Sequence, residues 1–291
     1  MFRESGAAES AGSESSDLWL LNGNSPSLPT SKRGNDAIVK LMDGPSVSQI
    51  ETFNMSTEAT SPGVFELKFL VSEQQGAWIR EWARSVMQPD PHAANGLDCG
   101  YWVNSLYLDT PDFGVLNRGE GHRQRKYRLR RYGTETSIWM ELKQKSDGRV
   151  SKRRVCVGEA ELPARLNCPG DEEWAGYWFQ ERLKQLLLRP VCQVTYQRFA
   201  CVGKSPFGAT RLTMDSQLCC VAAQEWDVPS RPLKSNSLLG DRRILELKFY
   251  ETIPIAFRDL IVQLNLNPAT FSKYRRSVDA CIPTATYQSR R

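Results

Sequence analysis

The sequence predicts an α+β fold, a closed antiparallel eight-stranded β-barrel with helices packed outside. Three observations carry that expectation. About eight segments alternate charged and apolar residues with period two, so each strand presents opposite chemistry on its two faces. Most charged faces mix Glu with Lys or Arg, and several amphipathic helical stretches lie between the strands. Closure would turn the charged faces inward, set the apolar faces against helices and remove the sheet edges. An open sheet with its charges in water is the competing arrangement. A membrane barrel shares the polar-in, apolar-out pattern but needs longer strands and a secretory signal.

Composition narrows the class of protein. With 291 residues the chain can bury a sizeable core, and 40% hydrophobic with 24% charged residues is ordinary for a globular protein. The net charge of +5 is too small to identify a polyanion partner, yet the cations cluster between Arg118 and Arg154. The eight cysteines show no CxxC pair and read as reduced residues of a cytoplasmic protein; a disulfide framework or a zinc site is the other reading. Two histidines, His92 and His122, argue against a multi-histidine metal site. No apolar run reaches the ~18–20 residues of a membrane span, and Leu18–Leu21 is too short for a signal sequence. Direct membrane insertion is therefore not expected.

Taken in order, residues 1–61 are rich in Ser, Gly, Asn, Glu and Pro and read as a disordered tail, with a helical turn at most over Ile38–Met42. Order is expected from Val64–Val71, with Glu66 and Lys68 on one face and Phe65, Leu67 and Phe69 on the other. Ser72 caps a helix over Glu73–Met87 that Pro89 and Pro91 end. A strand follows at Val103–Leu108, then a turn and helix cap at Asp109–Asp112. Gln124–Arg154 gives three charged strands. Lys126, Arg128, Arg130 and Tyr132 share one face of the first, Trp139, Glu141 and Lys143 one face of the second, and Val150, Lys152 and Arg154 one face of the third. Tyr127, Leu129, Met140 and Leu142 point the other way. Trp174–Leu188 reads as a helix and Cys192–Val202 as a strand carrying Tyr196 and Arg198 on one face. Thr210–Asp215 and Ile244–Phe249 are strands, the latter with Glu246 and Lys248 together. An apolar segment, Ile255–Leu266, precedes a last helix starting near Thr270–Tyr274.

A lumen lined by these cations has a chemical consequence. Like charges ~4 Å apart repel by ~4 kcal/mol at an effective dielectric of ~20. Glu66, Glu141 and Glu246 offset only part of that repulsion. The complement is a compact, multiply charged anion whose oxygens Arg and Lys can clamp, which means a phosphate chain. Glutamates on separate strands could hold Mg²⁺ or Mn²⁺ against phosphate oxygens, as in phosphoryl transfer. Any one of these charges alone also reads as a solvated strand face or a surface ion pair. No GxxxxGK[ST] or GxGxxG motif supports a P-loop or Rossmann nucleotide site.

Seven motifs in order, FELKFLV (65–71), SLYLDTP (105–111), RKYRLRRYG (125–133), WMELKQKSDGRVSKRR (139–154), VTYQRFA (194–200), ILELKF (244–249) and FSKYRRS (271–277), resemble the VTC domain. That domain is the polyphosphate polymerase module of the vacuolar transporter chaperone family. The resemblance spans about residues 62–282, leaving a short tail at 283–291. It implies a triphosphate tunnel metalloenzyme fold and an ATP:polyphosphate phosphotransferase that uses Mn²⁺ or Mg²⁺. By motif, it implies catalytic roles for Lys68, Arg128, Arg130, Lys143, Lys152, Arg198 and Lys273, with Tyr196 and Ser272 at the substrate and Glu246 on the metal. Lys126 and Lys248 join the substrate set, and Glu66 and Glu141 the metal set, from the face they share with those residues.

Departures qualify the resemblance. Triphosphatases of the same superfold carry ExExK on the first strand, and here the earlier position is Val64, which argues mildly against hydrolysis. The chain carries no SPX-like domain and no membrane helix of the kind found in the eukaryotic complex, which leaves room for a separately encoded membrane partner. The expected partners are ATP and inorganic polyphosphate, and no nucleic acid. The alternatives are an inorganic or nucleoside triphosphatase and a non-catalytic polyphosphate- or nucleotide-binding module.

Overall fold

The structure, a computed structural model, describes residues 58–93, 100–167, 171–235, 237–284 and 286, with side chains from residue 63 onward. Its strands are β1 (Glu58–Val71), β2 (Gln88–Pro89), β3 (Gly100–Asp109), β4 (Arg125–Tyr132), β5 (Ser137–Ser146), β6 (Arg149–Gly158), β7 (Arg189–Ser205), β8 (Gly208–Ala222) and β9 (Arg243–Phe249). Its helices are α1 (Glu73–Val86), α2 (Gly114–Asn117), α3 (Leu162–Asn167), α4 (Tyr177–Gln185), α5 (Ile255–Gln263) and α6 (Lys273–Cys281). The order β7-β3-β4-β5-β6-β1-β9-β8 returns to β7, so eight strands close a ring. Every pairing in it is antiparallel. Closure settles the choice against the open sheet, because each of the eight strands is paired on both edges. The two-residue β2 lies outside the ring and pairs with Cys201 and Val202 of β7.

Strand β1 begins at Glu58, earlier than the boundary at 62 that composition suggests. Glu58–Ser61 pair with Val155–Lys152 of β6, and the backbone ladder of a neighbour compensates for a segment with little apolar content. The rest of the expected tail, and the turn over Ile38–Met42, lie outside the described residues.

The outward faces form two apolar clusters between barrel and helices. Tyr127, Leu129 and Met140 pack with Phe179 of α4 and Val278 of α6, all fully or nearly fully buried. On the other side, Phe69, Leu245, Leu247 and Phe249 pack with Ile79 of α1 and Phe257, Leu260 and Ile261 of α5. Ser72 and Gln75 form a reciprocal capping box at the start of α1, as the spacing predicts. Gly76 on that helix is a close-approach residue, since a Cβ there would sit 2.7 Å from Arg243 Cδ and 3.1 Å from Met214 Sδ. Helix α4 is shorter than the pattern over 174–188, because Leu187 turns to φ +50° after Leu186 caps the helix. Strands β7 and β8 run beyond the predicted 192–202 and 210–215 as one long hairpin with its turn at Ser205–Gly208. The six described cysteines are free thiols. Among the described residues, no helix is long and apolar enough to cross a membrane.

Candidate active site

Cross-strand register puts the charged faces together inside the ring. Glu66 lies opposite Lys248 and Lys68 opposite Glu246 on β1 and β9. Lys248 lies opposite Arg211, and Asp215 opposite Arg198. Tyr107 faces Arg128 and Ser105 faces Arg130, while Arg128 faces Glu141 and Lys126 faces Lys143. Partners opposite each other in an antiparallel sheet share a face, so all these side chains line one lumen.

Ion pairs hold the lining in two groups. In the first, Lys68 Nζ lies between carboxylates, 2.6 Å from Glu66 Oε1 and 3.2 Å from Glu246 Oε1. Lys143 Nζ reaches Glu66 at 2.9 Å, and Lys248 Nζ lies 3.5 Å from Glu66 and 3.8 Å from Glu246. In the second, Arg128 binds Glu141 Oε2 through Nε at 2.7 Å and Nη2 at 2.6 Å. Arg130 Nη1 and Lys152 Nζ complete it at 3.8 and 3.7 Å from Glu141.

The remaining bonds of Arg130 go to neutral oxygens. Its Nε donates to Ser105 Oγ and its Nη2 to Tyr196 Oη, both at 3.1 Å. Among the described residues, Lys126 makes no ion pair.

Helix α6 delivers one more cation from outside the barrel. Ser272 caps the helix by accepting the Arg275 N–H at 3.3 Å, so its role in this structure is to fix the helix start. Tyr274 donates to the Asp109 carboxylate and stacks on Tyr107 with ring centres 5.2 Å apart. Arg275 donates to the Leu116 carbonyl. Locked by these contacts, Lys273 projects inward, 2.5 Å from Asp215 Oδ2 and 3.5 Å from Glu246 Oε1, with Nζ 4.7 Å from the Tyr196 ring centre. Arg198 grips the same Asp215 through two bonds of 2.7 and 2.8 Å.

The electrostatics follow from crowding. Burial, and then the charges of Lys143, Lys68 and Arg128, push the Lys126 ammonium down to about 7. Burial also brings Lys152 to about 7, aided by Arg154, Arg211 and Arg128 and resisted by Glu141. Lys248 reaches about 7 chiefly by burial, against the pull of Glu66 and Glu246. Burial works against charge on Glu66, Glu141 and Glu246 as well, yet the surrounding cations hold all three well below the usual carboxylate range. The lumen therefore keeps its carboxylates ionised while some lysines sit at the edge of losing their protons.

The sequence-predicted residues all line or border this lumen, but the three glutamates do not converge. Glu66 and Glu246 share the Lys68 ammonium, whereas Glu141 gives Oε2 to Arg128 and keeps a buried Oε1 with no hydrogen-bond partner among the described residues. Among the described residues, no group of three or more His, Cys, Asp or Glu side chains forms a metal site by itself. The Glu66–Glu246 pair fits a hard divalent cation in donor type, since two carboxylates already hold a cationic group between them.

Sequence reasoning left Asp215, Arg211 and Tyr107 out of the site, and Asp90 out of its border. The first three carried the signal, since they alternate in step with Thr213 and Ser105. Asp90 carried none, because its partner Arg211 is 121 residues away in the chain.

A closed antiparallel barrel of eight strands with a lumen of paired cations and carboxylates defines the triphosphate-tunnel fold. Within it, the chain belongs to the VTC domain family, whose signature matches residues 64–282. Among solved structures it is similar to a Bacillus halodurans protein named as a candidate adenylate cyclase. That match has 13% identity and a TM-score of 0.47 and covers 78% of this chain and 100% of the other. It is also similar to the Hippeastrum protein HpAC1, named as a candidate adenylyl cyclase with a dominant triphosphatase activity. There the identity is 11% and the TM-score 0.43, with 77% and 98% of the two chains covered. No curated protein matches the sequence.

Proposed function

We propose that this chain is a polyphosphate polymerase that transfers the γ-phosphoryl group of ATP to a growing inorganic polyphosphate chain inside the tunnel. One observation carries the reading. Arg130 is buried at 3% exposure with its shortest bonds to neutral hydroxyls, in a lumen where Lys126, Lys152 and Lys248 are already crowded toward neutrality. A site so overloaded with cations is complementary to a run of phosphate oxygens, whose charge would satisfy these groups together.

In this reading Arg128, Arg130, Arg198 and Lys273 clamp the triphosphate and the chain end in line, which lowers the entropic part of the barrier. A terminal oxygen of the chain forms a bond to the γ-phosphorus as the bond to the β–γ bridging oxygen breaks, and ADP leaves. Lys68, Lys143 and Lys152 neutralise charge on the equatorial oxygens during transfer. Glu66 and Glu246 would hold Mn²⁺ or Mg²⁺, which when bound supplies charge neutralisation at the phosphate oxygens. Glu141 has a different task, orienting Arg128.

A second reading, triphosphate hydrolysis, is favoured by one feature, the Asp90–Arg211 ion pair at 2.8 Å, because a short substrate needs no passage beyond it. Against it, Val64 stands at the level of Val150, where the superfold's triphosphatases carry a carboxylate.

Purified protein supplied with ATP and Mn²⁺, assayed in parallel for stained polymer on a gel and for free phosphate, tests the proposal. Polymer with ADP is the expected outcome. Free phosphate without polymer would move the answer to hydrolysis, and neither product with retained polyphosphate binding would leave a binding module.

A further inference from the structure

Helix α6 delivers Lys273 to Asp215 at the middle of β8. Arg211 lies four residues back along the same strand, near its start, about 13 Å away at the rise of an extended chain. Tyr101 bonds Arg211 and the Tyr132 ring lies 6.0 Å from that of Tyr101, so both rings stand at the Arg211 end.

The segment from Gln88 to Ala93 lies across it. Gln88 and Pro89 pair with β7, and the Asp90 N–H donates to the Ala200 carbonyl at 3.0 Å. These bonds turn the Asp90 side chain, only 4% exposed, onto the lumen cation Arg211. Asp90 Oδ2 accepts from Arg211 Nε at 2.8 Å, and Arg211 Nη2 donates to Tyr101 Oη at 3.1 Å. Asp90 Oδ1 accepts the His92 N–H at 3.1 Å. The His92 ring then stacks on Tyr132 with centres 4.4 Å apart, and its Nδ1 lies 3.5 Å from Glu135 Oε1 in the β4–β5 turn.

We infer that Asp90 is a chain-length stop: its carboxylate occupies the Arg211 position that the leading phosphate of a longer chain would need. The inference rests on the reading that the lumen holds phosphate chains. Carboxylate and phosphate are both oxyanions that fit the guanidinium fork, so the two compete for one partner. A chain that reaches Arg211 also meets a like charge fixed by the β2–β7 pairing. Arg211 lies opposite Lys248, so a short chain held by the groups around Glu66 and Glu141 ends beside it, and only a longer chain needs the guanidinium itself. Asp90 thus sets which lengths are held, without touching the groups that hold the short ones.

Calorimetric titration of the full chain with tripolyphosphate, and with a polyphosphate several times longer, tests the stop without requiring turnover. The natural protein is expected to bind the two ligands within about threefold of each other, and Asp90→Asn to bind the longer one roughly tenfold tighter with tripolyphosphate unchanged. His92→Ala keeps the carboxylate but loosens its support, and serves as a second variant should Asp90→Asn fail to fold. It is expected to give a smaller gain confined to the longer ligand. Equal tightening of both ligands, or no change for the longer one, would overturn the stop and leave the tunnel reading intact. Absence of tripolyphosphate binding by the natural protein would overturn the tunnel reading and the stop with it.

Discussion

Arg130 and Arg131 are neighbours on β4, both buried, and they face opposite ways. Arg131 points outward, and everything it needs is there. Its Nη1 and Nη2 bind Glu159 at 2.8 and 2.6 Å, and it donates to the Val228 carbonyl at 3.2 and 3.0 Å and to the Glu135 carbonyl at 2.8 Å. Arg130 points inward to two neutral hydroxyls, with a carboxylate no nearer than 3.8 Å. The outer wall completes its polar bonds within the protein, whereas the lumen leaves positive charge in excess. The first arrangement holds a loop to the barrel, and the second is poised for an external anion.

Substitutions on the two faces should separate function from stability. The largest effect is expected inside the lumen. Arg130→Ala and Glu246→Ala should each abolish turnover per folded molecule, measured by gel and phosphate release. Retained synthesis in either variant would count against the role given to that residue. Next comes Arg131→Ala, which orphans the buried Val228 carbonyl and leaves a void, for a loss of about 3 kcal/mol by urea unfolding. Its turnover per folded molecule should stay near that of the natural protein. A collapse of activity with intact folding would erase the distinction between the faces.

Protonation offers a subtler comparison. Lys126, Lys152 and Lys248 stand at about 7 in the folded protein, against an ordinary value of 10.5. Between those values the unfolded chain binds more protons, so these lysines make the unliganded protein more stable as pH rises from about 7 toward 10.5. A bound polyanion reverses the crowding and raises their pKa. Binding of tripolyphosphate at pH 8 should therefore take up protons, measured by calorimetry in two buffers of different ionisation enthalpy. Proton release, or no exchange, would show that the lumen is not short of anions. The smallest effect is expected at the outer helix α1, where Ser72→Ala removes the capping box for about 1 kcal/mol of stability and no change in turnover.

Much of this was legible in the chain. Period-two alternation identified eight strands and most lumen side chains, since facing in a strand is a local property. Asp215 and Arg211 were visible as alternating charges on β8, and only their partners gave them meaning. Arg131 could not be told from its neighbours as a structural residue, because Glu159 and the 228 carbonyl reach it from separate loops. Glu141 illustrates the limit from the other side: it shares a face with Glu66 and Glu246, and only the fold shows that Arg128 opposite it binds one of its two oxygens.

By itself, then, the sequence determined the two-faced strands, the capped first helix and the family, because each is written in local spacing or ordered motifs. Only the tertiary structure decided that the sheet closes, that Lys273 enters the lumen from α6, that Glu66 and Glu246 pair while Glu141 stands apart, and that Asp90 lies against Arg211. Those outcomes depend on contacts between residues far apart in the chain, formed when β7 pairs with β3 and β1 with β6 and β9, and the charged faces come together out of water.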